Sequence, residues 1–194
     1  MRVGVALSGA SGLQYGLRLA EVLLNHGHEV HLFATEAAAM VAHKEMGMVL
    51  NPQHPERVFD QHPEKVRLKG VAIHDIACAD ASGSSAVDAL VVIPCSMNTL
   101  AKMAHGLGDR ALERCAEVML KERRPLIVVP REAPLSLMDI RNMAALCEAG
   151  ATILPASPGF YHNPKSMADL IDFIVQKVLS LLKLDIKLVE SWKG

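Results

Sequence analysis

Three polar clusters in this chain could do chemistry, and each follows a short apolar run. The first is Ser8-Gly9-Ala10-Ser11-Gly12, which leads straight into a helical pattern. Glycines let a backbone approach a ligand closely, and a helix N-terminus attracts an anion. The cluster matches neither G-x-G-x-x-G nor G-x-x-x-x-G-K-[ST], and a plain tight turn accounts for it equally well. The second is Pro94-Cys95-Ser96-Met97-Asn98-Thr99. Ser96 is placed to cap the next helix, with Thr99 one turn later on the same side, and a cap alone would explain both. Cys95 has no specific histidine partner and reads as a small buried hydrophobe without chemistry. The third is Pro130-Arg131-Glu132-Ala133-Pro134, an Arg–Glu pair at a strand end that serves either a ligand or a structural ion pair. Together they place hydroxyls, backbone donors and an arginine at one rim. That suits a phosphorylated cofactor better than a metal, for which no close His/Asp/Glu cluster is present.

Two further positions stand out. Tyr161 sits in Gly159-Phe160-Tyr161-His162, stiffened by Pro155 and Pro158, where an aromatic could equally be ordinary packing. Lys177 lies at the edge of an apolar stripe of Met167, Leu170, Ile171, Ile174, Val175 and Val178, where a snorkelling lysine is the plain alternative. His26, His28 and His31 read as surface and strand edge, not as ligands.

The elements that must position these residues alternate. Apolar runs predict strands at 3–7, 29–34, 89–93, 125–129 and 151–154, with a short one at 71–73. Helical periodicity follows at 13–24, 36–46, 97–104, 110–121, 137–148 and 166–182, with Gly27 and Gly150 as stops. Ser166-x-x-Asp169 has the form of a capping box. The stretch 51–70 is a polar excursion. Continuous apolar strands between helices predict a doubly wound parallel α/β sheet, with ligands beyond its carboxyl ends. A single α/β domain over 1–182 and a tail over 183–194 are expected, since no linker or repeat interrupts the chain.

The totals exclude other classes. With 194 residues, 51% hydrophobic and a net charge of −1, the chain carries no nucleic-acid footprint. No apolar run is long enough to cross a membrane. The start lacks the form of a signal peptide, and the four scattered cysteines suit neither zinc nor disulfides, so the cytoplasm is expected.

Six segments carry a family resemblance: 8–16, Ala81-Ser82-Gly83-Ser84, 94–100, 120–126, 130–134 and Pro158-Gly159-Phe160-Tyr161. In this order they resemble the UbiX-type flavin prenyltransferases, formerly called aromatic-acid decarboxylases. The resemblance implies a flavodoxin-like (Rossmann-type) fold and a dodecamer with active sites at subunit junctions. It implies transfer of a dimethylallyl group from dimethylallyl phosphate to N5 and C6 of reduced FMN. The product, prenylated FMN, would serve a UbiD-type decarboxylase, and no metal is implied. Carried over by position, Gly9, Ala10, Ser11, Thr35, Ser96, Met97, Asn98, Thr99 and Arg131 would bind FMN. Tyr161 and Lys177 would hold the prenyl phosphate, Lys177 standing where relatives often have arginine. Glu45, Arg114, Lys121, Glu132 and Trp192 match positions that close the substrate site. Ser11, Glu45, Glu132 and Lys121 are the implied catalytic set, with Glu45 and Ser11 managing protons. Arg110 stands where relatives often have a smaller residue.

Three other readings compete. A flavin-dependent cysteine decarboxylase shares the fold but typically has Pro-x-Ala-Asn-Ser/Thr where this chain has Pro94 to Thr99. A nicotinamide oxidoreductase would need the missing G-x-G-x-x-G. A flavin-binding subunit without catalysis would differ only in turnover.

Overall fold

Strand β4 (Ala89–Cys95) is buried along its whole length, so both of its faces must be covered. Its residues divide accordingly. Ala89, Val91 and Ile93 pack with Leu19, Leu23, Ile174 and Val178 on one side. Leu90, Val92 and Cys95 pack with Leu112, Cys115, Met119 and Leu146 on the other. Each fully buried leucine of this kind contributes about 1.5–3 kcal/mol relative to exposure.

The computed structural model describes residues 1–84 and 86–189. Its six strands are β1 (Arg2–Leu7), β2 (Glu29–Ala34), β3 (Leu68–Val71), β4, β5 (Leu126–Pro130) and β6 (Thr152–Ile153). All pair in parallel, in the order β3-β2-β1-β4-β5-β6. Without the short edge strand β3, this is the flavodoxin-like order 2-1-3-4-5. The helices are α1 (Leu13–Asn25), α2 (Glu36–Met46), α3 (Met97–Ala104), α4 (Ala111–Lys121), α5 (Leu137–Glu148) and α6 (Met167–Leu181). Helices α1 and α6 cover one face, and α4 and α5 the other. Among the described residues no helix is long and apolar enough to cross a membrane.

Local chemistry sets the helix starts. Thr35 and Ser96 cap α2 and α3 through their hydroxyl oxygens, and Ser166 with Asp169 forms the expected capping box. A cap of this kind stabilises by about 0.5–2 kcal/mol. Three expectations need correction. The edge strand runs Leu68–Val71, not 71–73: it pairs with β2 from Val30 to Phe33, and the chain has left the sheet by Ile73. Met167 is 73% exposed and lies outside the α6 stripe, because it is the first helical residue and precedes contact with α1; Phe173 and Leu179 are buried instead. His31 is not at the surface. It is buried on β2 with Asp80 at its Nδ1 and Glu29 at its Nε2.

Candidate functional site

Strand order reverses between β1 and β4, and the carboxyl ends of these parallel neighbours open the crevice where α/β sheets bind ligands. Ser8 ties the two ends together. Its hydroxyl donates to the Pro94 carbonyl at 2.9 Å and accepts from the Ser96 amide at 2.7 Å. Gly9 lies where α2 comes closest: a Cβ there would sit 2.3 Å from the Cβ of Ala37. Gly12 takes the left-handed conformation, φ 98°, that starts α1. Its amide donates to Glu45 Oε2 at 3.2 Å, which brings the end of α2 to the glycine turn. Arg131 reaches across from β5, with Nε donating to the Ser11 carbonyl at 3.3 Å. Glu132 turns away: its Oε1 accepts from the Ala133 amide, and the two side chains form no ion pair. The Arg–Glu pair considered from sequence is therefore split. Arg131 braces the glycine turn and Glu132 stands exposed beside it.

The second wall is polar. Thr35, Ser96, Asn98, Thr99, Lys102, Arg110 and Glu113 line a cleft of about 340 Å³. The Ser96 hydroxyl donates to Thr99 Oγ1 at 3.1 Å, so the two hydroxyls share one side as their spacing suggests. Two helix N-termini, of α2 and α3, end here, capped by the Thr35 and Ser96 hydroxyl oxygens. Arg110 pairs with Glu36, which also meets His74 at 2.9 Å. Lys102 pairs with Asp109 at 2.9 Å. Burial pushes the Glu113 carboxyl above the usual carboxylate range. Burial also raises the Cys95 thiol far above its ordinary value, which leaves it an inert hydrophobe as read from sequence.

Tyr161 and Lys177 come together in a second cleft of about 380 Å³. Tyr161 meets Phe173 edge-on at 5.5 Å, and the Lys177 ammonium stands 5.4 Å over the same ring. The His162 ring stacks on Phe173 at 5.1 Å. Gln176 pins the following segment by donating to the Ile186 carbonyl and accepting from the Leu188 amide. That segment forms the cleft's far wall.

Other expected residues are not brought to the rim within one chain. Lys121 closes α4, immediately before β5, and so lies at the amino ends of the strands. There Glu122 lies against Gly83, and Arg124 donates to the carbonyls of Gly83, Ala86 and Val87. Arg114 is exposed on α4 and pairs with Glu117 at 2.7 Å. The motif residues therefore form two groups at opposite ends of the sheet. Trp192 lies outside the described residues.

Sequence reasoning assigned no role to Ser8, Glu113 or the His31–Asp80 pair. Ser8 carried a signal, as a serine between a buried strand and a glycine. Glu113 carried one too: it stands three residues before Ala116 on the buried side of α4. Asp80 carried none, since its partner is 49 residues away.

The family model described as Flavoprotein matches residues 1–179. The chain is 45% identical to the flavin prenyltransferase UbiX of Alkalihalophilus pseudofirmus, over 97% of this chain and 94% of that protein. It is similar to AnUbiX, crystallised with FMN and dimethylallyl pyrophosphate: TM-score 0.85, 38% identity, covering 100% of this chain and 97% of the other. It is also similar to a dodecameric FMN-dependent UbiX-like decarboxylase from Escherichia coli O157:H7: TM-score 0.88, 31% identity, with 100% of each chain covered.

Proposed function

The chain belongs to the UbiX flavin prenyltransferase family, and on that premise we propose that it transfers a dimethylallyl group from dimethylallyl phosphate to reduced FMN. The observation that carries this reading is the crevice at the β1–β4 switch. A close-approach glycine turn, two capped helix N-termini and Arg131 converge there. These groups suit FMN. Gly9 lets α2 pack directly on the turn, and the N-termini with Thr35, Ser96 and Thr99 offer donors to a phosphate. Gly9, Ala10, Ser11, Met97 and Asn98 complete the FMN site.

The carbon–oxygen bond of the prenyl phosphate breaks and leaves allylic cation character on the five-carbon unit. Lys121, Arg131, Lys177 and Tyr161 hold the departing phosphate, with Arg114 and Trp192 closing the substrate site. When bound, reduced FMN would supply the electron pair at N5, whose proton is lost; closing the fourth ring then requires a proton delivered to the prenyl double bond and one removed from C6. Glu45 accepts and returns protons beside N5, assisted by Ser11 and Glu132. The product serves a UbiD-type decarboxylase.

Because Lys121 and Glu45 lie at opposite ends of one sheet, the complete site forms where one chain's far end meets another chain's rim, within a dodecamer. Release of inorganic phosphate from dimethylallyl phosphate should depend on reduced FMN. Release that proceeds without flavin, or with FAD in its place, contradicts the reading.

A further inference from the structure

Glu113 lines the cleft between Thr35 and Ser96 and has no part in the proposed chemistry. It is 2% exposed, and its Oε2 has no hydrogen-bond partner among the described residues. A buried oxygen left unpaired is costly, so a polar atom that completes it is expected in the space it faces. We propose that Glu113 reads the flavin's phosphate: its carboxylic acid form donates a hydrogen bond to a phosphate oxygen and so selects FMN over riboflavin. This rests on the FMN reading above and adds a specificity residue to it.

The charges around the cleft argue for the acid form. Lys102, on α3, already holds Asp109. Arg110, before α4, already holds Glu36 at the start of α2, and His74 joins that pair. Cys95, on β4, is a buried neutral thiol. Lys102 and Arg110 lie near enough to favour an ionised Glu113, but each is already paired with another carboxylate, and burial outweighs them. An ionised carboxylate can only accept hydrogen bonds, and so can the phosphate oxygens; a protonated carboxyl donates. Burial, which raises the Glu113 carboxyl, works in the same direction. The hydroxyls of Thr35 and Thr99 and the helix amides would surround the same group.

The test is binding of FMN and of riboflavin by flavin fluorescence, above about pH 7 where a phosphate monoester is mostly a dianion. Wild type should prefer FMN, and that preference should fall as pH rises, because binding requires the proton. Glu113→Gln keeps a donor and should give a preference that does not vary with pH. Glu113→Leu should lose about tenfold or more in FMN affinity, hold riboflavin affinity within about twofold, and raise the Tm of the flavin-free protein by removing an unpaired buried oxygen. Wild-type FMN affinity in Glu113→Leu, equal losses for FMN and riboflavin, or a flat wild-type pH profile would each overturn the assignment. Wild-type protein that binds no FMN overturns the FMN reading itself, and this inference with it.

Discussion

Glu45 holds the Gly12 amide through a single carboxylate oxygen, and that contact separates its structural role from its chemical one. Glu45→Gln retains an oxygen to accept this bond, so the glycine turn and FMN affinity should survive. Turnover should fall about a hundredfold or more, the range for losing a general acid–base. Unchanged turnover would remove Glu45 from the mechanism. Lys177 and Tyr161 make a second case. Lys177→Ala should weaken dimethylallyl phosphate binding about ten- to a hundredfold, as for one charge-assisted bond, and leave FMN affinity unchanged. Lys177→Arg should retain much of the activity. Titration of FMN-loaded variants with the prenyl phosphate reads this directly; wild-type affinity in Lys177→Ala would reduce the residue to a surface lysine resting on Phe173. Much of this site was legible as residue types. Hydroxyls, glycines and an arginine at strand ends have a short-range signature. The Ser8 bridge to Pro94 and the Gly12–Glu45 bond were not legible, because they join residues 86 and 33 positions apart.

At the scale of elements, strand–helix alternation read well because β1, β4 and β5 have continuous apolar runs and β2 has one from Leu32 to Ala34, a pattern loops do not produce. The edge strand β3 read poorly. Its sequence, Leu68-Lys69-Gly70-Val71, has no apolar run, and pairing with β2 alone makes it a strand. His31 ties the turn that carries Asp80 to β2, and Lys69 of β3 reaches the same carboxylate at 3.8 Å. Both ring nitrogens of His31 face carboxylates, Nδ1 toward Asp80 and Nε2 toward Glu29, each at 2.9 Å. Carboxylates only accept, so both nitrogens must carry protons. Burial disfavours that cation, yet the bonds to Asp80 and Glu29 outweigh it and raise the imidazole above its ordinary value. A raised folded pKa gives stabilisation that is complete below the unfolded value, about 6.5, and fades as pH rises through the folded one. Asp80→Asn should therefore cost about 1.5–3 kcal/mol in acid, and the gap from wild type should narrow toward alkaline pH. Thermal melts across pH check this, and a gap that widens with pH contradicts it.

At the scale of the whole molecule, the shared motifs divide between the rim and the opposite end, where Glu122 and Arg124 gather around Gly83 and Lys121 lies beside Glu122. Sequence order cannot show that division; it depends on which end of the sheet each loop occupies. If one chain's Lys121 serves another chain's Glu45, two inactive variants should complement. Mixed oligomers of Glu45→Gln and Lys121→Ala should recover roughly a quarter of wild-type activity by random pairing. Recovery no greater than the sum of the separate variants would place the site within one chain. The central claim is tested most directly by mass spectrometry of the flavin after anaerobic incubation of purified protein with reduced FMN and dimethylallyl phosphate. The account predicts a flavin heavier by one five-carbon unit, formed only with both substrates and with active protein. Recovery of unmodified FMN alone, from protein shown to bind both, would contradict it.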